Sequence, residues 1–73
     1  MSDMRNMIAE LLKRRPADLA NDASLGTTPG WDSFAQLNIM IELERRYGIP
    51  ITDETIDAYS NLAAIDRLEK ERA

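Results

Sequence analysis

The chain has 73 residues, with 9 Lys and Arg against 13 Asp and Glu and neither cysteine nor histidine. So short a chain builds only a marginal core, often reinforced by disulfides or metal; without Cys there are no disulfides, and without His the commonest metal ligand and acid–base catalyst are gone. A net charge of −4 disfavours nucleic acid and anionic lipid as partners, and no apolar run approaches the ~20 residues of a membrane span.

The N-terminus, Met1-Ser2-Asp3-Met4-Arg5, has no apolar stretch behind a basic start and reads as no secretion signal. Met4, Met7, Ile8, Leu11 and Leu12 then form the stripe of an amphipathic helix over about 3–15. Ser2 is a candidate cap and Pro16 the stop. Lys13, Arg14 and Arg15 fall in its predicted last turn. Two readings stand: cations suited to the helix dipole, or a partner-docking patch.

Residues 16–31 are rich in Pro, Gly, Asn, Asp, Ser and Thr and predict a long, flexible loop, with Leu19 and Leu25 pinning it to the core. Loops of this length in small domains are often functional. Asp32 is a strong N-cap for a helix over 33–47, which Gly48 ends. Its apolar stripe holds Phe34, Leu37, Met40, Ile41, Leu43 and Tyr47. That is wider than one packing contact needs, so part of it is expected to face a partner. After Ile49-Pro50-Ile51, Thr52 caps a short helix over 53–58 that points Ile56 and Tyr59 inward. Ser60 is the candidate cap of a last helix over 61–70, with Leu62, Ile65 and Leu68 in phase and residues 69–73 a fraying end. The expectation is one domain over 1–73: an all-α, small four-helix bundle with three main helices plus one short helix before the last.

The segment Gly30-Trp31-Asp32-Ser33-Phe34 carries the chemistry. Ser33 takes the first position of a helix after a loop, where unpaired N–H groups and the dipole favour a phosphodiester built on its hydroxyl. Nothing in the composition makes Ser33 a nucleophile in its own right: His and Cys are absent, and Lys13 and Lys70 are the only lysines. Any thioester chemistry needs a thiol from outside the chain.

At this point the sequence resembles the acyl carrier protein family. Gly30, Asp32 and Ser33 match its Gly-x-Asp-Ser-Leu-like motif, with Phe34 in the Leu place. Leu37, Ile39, Met40 and Leu43 match apolar positions of the second helix, and Glu44 its acidic stretch. Tyr47-Gly48-Ile49-Pro50-Ile51 looks like the aromatic-Gly-Ile-x-Ile ending, and Asp53, Ile56, Leu62 and Ile65 fall where the last helices need them. The likeness covers nearly the whole chain, helix one only in pattern. It implies a fold of acyl-carrier type and a non-catalytic, stand-alone carrier holding acyl intermediates as thioesters on a 4′-phosphopantetheine arm. Ser33 would be the attachment residue and Asp32 its support. The implied partners are a phosphopantetheinyl transferase, an acyl- or aminoacyl-activating ligase and a downstream synthase or transferase, met by a monomer in the cytoplasm without metal.

The second helix departs from the fatty-acid-synthesis pattern of dense acidic charge. Ala35 and Asn38 take two such positions, and Arg45 and Arg46 follow Glu44, while Glu42 remains. Charge steering is then weaker, which favours a specialised lipid or secondary-metabolite pathway. The expected docking face is Phe34, Ala35, Asn38, Ile41, Glu42 and Arg45. Phe34 and Ile41 read equally as core, and Trp31 as local packing or partner contact. An aminoacyl or peptidyl carrier, including the D-alanyl type, also fits. So does an unmodified helical adaptor with Ser33 as a plain helix-start residue. A helix-turn-helix DNA binder is disfavoured by the acidity and the long first loop.

Overall fold

A computed structural model describes residues 3–72. Among them are four α-helices and no strand: α1 (Asp3–Leu11), α2 (Ser33–Tyr47), α3 (Asp53–Ala58) and α4 (Leu62–Arg72). This is the small helical bundle of acyl-carrier type that the sequence predicts, with a short third helix. The candidate cap Ser2 lies outside the described residues.

The helix ends follow local chemistry, with three corrections. First, α1 stops at Leu11, well short of 15. Lys13 turns to a φ of 58°, and a Schellman closure forms: the Lys13 N–H donates to the Glu10 carbonyl at 3.1 Å and the Arg14 N–H to the Ala9 carbonyl at 2.9 Å. Lys13, Arg14 and Arg15 therefore stand beyond the helix, not in its last turn. Second, α4 is capped by Asn61, whose side chain accepts the Ala64 N–H at 2.8 Å; Ser60 instead donates its hydroxyl to the Asp57 carbonyl at 2.7 Å. Third, α4 continues through Arg72, past the predicted frayed end. As expected, Gly48 closes α2 at a φ of 70°, a conformation that favours glycine. Thr52 caps α3 in a reciprocal box with Thr55.

The core gathers Met4, Ile8 and Ala9 from α1, Ile39, Met40 and Leu43 from α2, and Leu62, Ile65 and Leu68 from α4, with Leu12, Leu19, Ala23, Trp31 and Ile49 from the connections. Tyr47, Ile56 and Tyr59 pack partly buried against it. α1 packs against α4 and the Pro16–Asp18 turn, and α2 against α3. Arg5 ties α1 across the bundle, donating to the Leu19 carbonyl (3.1 Å), the Asn21 side chain (3.0 Å) and Asp66 of α4 (3.1 Å).

The long connection is more ordered than its composition implies. Pro16–Asp18 form a 3-10 turn. Leu19 is buried and Leu25 half-buried, as predicted. Ser24 bridges Asn61: the Leu25 N–H donates to the Ser60 carbonyl at 2.8 Å and the Leu62 N–H to the Ala23 carbonyl at 2.9 Å. A loop expected to be flexible is thus hydrogen-bonded to the start of α4.

Candidate functional site at the start of α2

Three local devices bring the chain to Ser33. Gly30 takes a φ of 88°, which an L side chain adopts only with strain. The Trp31 N–H donates to the Thr28 carbonyl, and the Trp31 carbonyl accepts from Gly26, both at 3.0 Å. Asp32 then sits in extended backbone and N-caps α2, its Oδ1 accepting the Ala35 N–H at 2.9 Å.

Ser33 is the first helical residue and is exposed. Its hydroxyl has no hydrogen-bond partner among the described residues, nor do the N–H groups of Ser33 and Phe34. A shallow concavity lined by residues 25–33 opens beside it. An anion bonded to this hydroxyl meets two free helix N–H donors at the positive end of the dipole, a gain of roughly 0.3–1 kcal/mol when exposed. No described side chain is hydrogen-bonded to the Ser33 oxygen. Among the described residues no group of three His, Cys, Asp or Glu side chains is placed to hold a metal. Among the described residues no helix is long and apolar enough to cross a membrane.

Trp31 is packed locally, at 1% exposure. Its indole N–H donates to Oε1 of Gln36 at 2.8 Å. Gln36 is itself buried, and its Nε2 donates to the carbonyls of Ile56 (3.0 Å) and Tyr59 (3.1 Å) at the end of α3. Sequence reasoning passed over Gln36. Its only local signal is a polar side chain at a position in phase with Ile39, Met40 and Leu43.

The expected docking residues divide. Phe34 is 74% exposed and Ile41 45%, which removes both from the core. Leu37, not among the expected contacts, joins them at 49%; its spacing from Phe34 and Ile41 is the signal that finds it. Ala35 is the correction: at 4% exposure it belongs to the core, because its direction along α2 is that of Ile39 rather than of Phe34. Asn38 is half-buried and donates to the Phe34 carbonyl at 2.9 Å.

Charge is absent from residues 33–41 and begins at Glu42. Glu42 accepts from Arg45 at 2.7 Å and from Arg46 at 3.0 Å. The Arg45 hydrogen bond, opposed by some desolvation and aided by Arg46, holds the Glu42 carboxyl below its ordinary range. The same bond raises Arg45. The charges of this stretch are thus largely matched to one another, leaving an apolar outer face between Ser33 and the ion cluster.

Against known proteins, the family model described as the phosphopantetheine attachment site matches residues 2–67. No curated protein matches the chain.

Proposed function

Because the chain belongs to the phosphopantetheine attachment family, whose members carry 4′-phosphopantetheine covalently, we propose that Ser33 bears the arm and that the cargo is an acyl group. The observation that carries this reading is the exposed, unbonded Ser33 hydroxyl at the first position of α2. When bound, the arm supplies a terminal thiol that holds cargo as a thioester, which this cysteine-free chain cannot do itself. The residues present fit such a group: the Ser33 oxygen is free to form the ester, and the free N–H groups of Ser33 and Phe34 face the anionic end of what is attached. Asp32 holds the helix start in place through Ala35. In transfer from coenzyme A the Ser33 oxygen would bond the phosphorus next to pantetheine, the pyrophosphate bond would break with adenosine 3′,5′-bisphosphate leaving, and the Ser33 proton would pass to a base of the phosphopantetheinyl transferase.

The chain acts as a carrier and not as an enzyme, in the cytoplasm and as a monomer. Loading falls to an acyl-activating ligase, and a synthase or transferase collects the cargo. These partners meet Phe34, Leu37 and Ile41, with Asn38, Glu42 and Arg45 beside them. The uncharged run from Ser33 to Ile41 supports acyl cargo, since the surface next to a loaded arm is apolar. The internally matched Glu42–Arg45–Arg46 cluster supports a specialised lipid or secondary-metabolite pathway, because a partner that steers by dense acidic charge finds little here.

The test is an intact-mass measurement after incubation with coenzyme A and a promiscuous phosphopantetheinyl transferase. The wild type is expected to gain one phosphopantetheinyl mass and Ser33→Ala none. An unchanged wild-type mass, under conditions that modify a control carrier, sinks the reading and leaves an unmodified adaptor.

A further inference from the structure

Gln36 is the buried polar side chain of a core that is otherwise apolar, at 2% exposure. Burying a carboxamide among apolar side chains is unfavourable unless its hydrogen-bonding groups are used. Here they are used on three groups in two segments, the residue before Asp32 and the end of α3. Oε1 accepts from the Trp31 indole, and Nε2 donates to the carbonyls of Ile56 and Tyr59. The two carbonyls lie at the C-terminal end of α3, where helical carbonyls lack partners within the helix. The Ser60 N–H goes to Asp57 and the Tyr59 N–H to Thr55, which leaves Ile56 and Tyr59 for Gln36. One side chain therefore closes the end of α3 and holds Trp31.

The location of this hub matters more than its existence. Trp31 precedes Ser33 by two residues and Gln36 follows it by three. Their side chains turn inward while Ser33 faces solvent, so the clamp grips both flanks of Ser33 from beneath. Asp32 caps the same turn from the side. Trp31 and the end of α3 are thus tied, through Gln36, to the first turn of the helix that Ser33 opens. An apolar residue of similar size at 36 takes this partner from the buried Trp31 N–H and from two partly buried carbonyls at the end of α3.

We infer that Gln36, acting through Trp31 and the end of α3, is a positioning residue for the modification of Ser33. The inference rests on Ser33 as the attachment residue. Two substitutions cut the clamp at different arms. Trp31→Phe keeps an aromatic ring and removes the N–H, freeing the segment before Ser33. Gln36→Glu keeps an acceptor for Trp31 and removes both donors to α3.

The experiment measures phosphopantetheinylation by a transferase, with kcat and KM for the carrier separated. It is run at a temperature where circular dichroism shows each variant folded. Because displacement of a reacting atom by about 1 Å can cost up to a hundredfold in rate, kcat is expected to fall roughly tenfold in each variant with KM within about twofold. Amide resonances of Ser33 to Ala35 are expected to move in both apo variants. Should Gln36→Glu not fold, Trp31→Phe alone decides. A lower melting temperature with kcat within about twofold of wild type overturns the inference, since a merely structural clamp does not alter the turnover of folded carrier. Ser33→Ala runs alongside: a mass gain there refutes the attachment reading, and the positioning role falls with it. No gain there and unchanged kcat in the clamp variants refutes the positioning role alone.

Discussion

The inner and outer faces of α2 are built from similar residue types and have opposite fates. Ile39, Met40 and Leu43 point inward and are wholly buried, while Phe34, Leu37 and Ile41 point outward and stay exposed. Both sets are spaced for a helix, and hydropathy does not tell them apart. The difference teaches that apolarity on this helix serves two ends. One face closes the bundle, and the other lies on the surface running from Ser33 to the ion cluster at Glu42. Helix rise puts Ile41 about 12 Å along the axis from Ser33, so the exposed face is local to the proposed attachment residue.

The comparison breaks most visibly on the inner face. Ile39→Ala removes a fully buried side chain, at an expected cost of about 2–5 kcal/mol. A chain of this size rarely has more than about 3–5 kcal/mol of core stabilisation to lose. Urea titration followed by circular dichroism is therefore expected to show Ile39→Ala largely unfolded or close to it at 25 °C. A midpoint near that of wild type would mean the core closes over the gap, and that the two faces differ less than burial implies.

The outer face is expected to answer oppositely. Phe34→Ala removes a side chain that is 74% exposed, so stability should change by no more than about 0.5 kcal/mol. If this face meets the partner enzymes, loss of an aromatic anchor costs more than about 1 kcal/mol of binding, roughly fivefold or more in kcat/KM for a cognate ligase. A folded Phe34→Ala variant loaded at the wild-type rate removes Phe34 from the docking face.

What could be read from the sequence follows the range of the forces involved. The Asp32 cap with Ser33 at the helix start, the Gly48 stop and the Thr52 cap depend on neighbours two or three residues away, and all were legible. The end of α1 was not. Pro16 predicts a stop near 15, yet Lys13 adopts a positive φ without being glycine, and the turn it makes brings Leu12 against Gly30, a contact between distant segments. Ala35 was misplaced because the motif fixes its position in sequence but not which side of α2 meets the core. Gln36 was missed for a similar reason: its meaning lies in carbonyls 20 and 23 residues further on. The serine at the helix start is therefore open to local reasoning, while the contacts packed beneath it are not.

The smallest expected effect sharpens the boundary where the apolar outer face ends. Glu42 is held below its ordinary pKa, first by its hydrogen bond with Arg45 and also by Arg46. A carboxyl whose folded pKa lies below its unfolded one binds fewer protons when folded, so its stabilising effect is present above the ordinary carboxylate range. It is lost as pH falls through the depressed value, where Glu42 becomes neutral and releases both arginines. Urea midpoints of wild type and Glu42→Gln should therefore differ slightly at neutral pH and converge in acid. The neutral-pH gap should narrow further at high salt, because the pairs reach solvent and are screened. A gap that persists in acid assigns Glu42 to packing rather than charge, and the arginines would then be free to face a partner instead of turning back on their own helix.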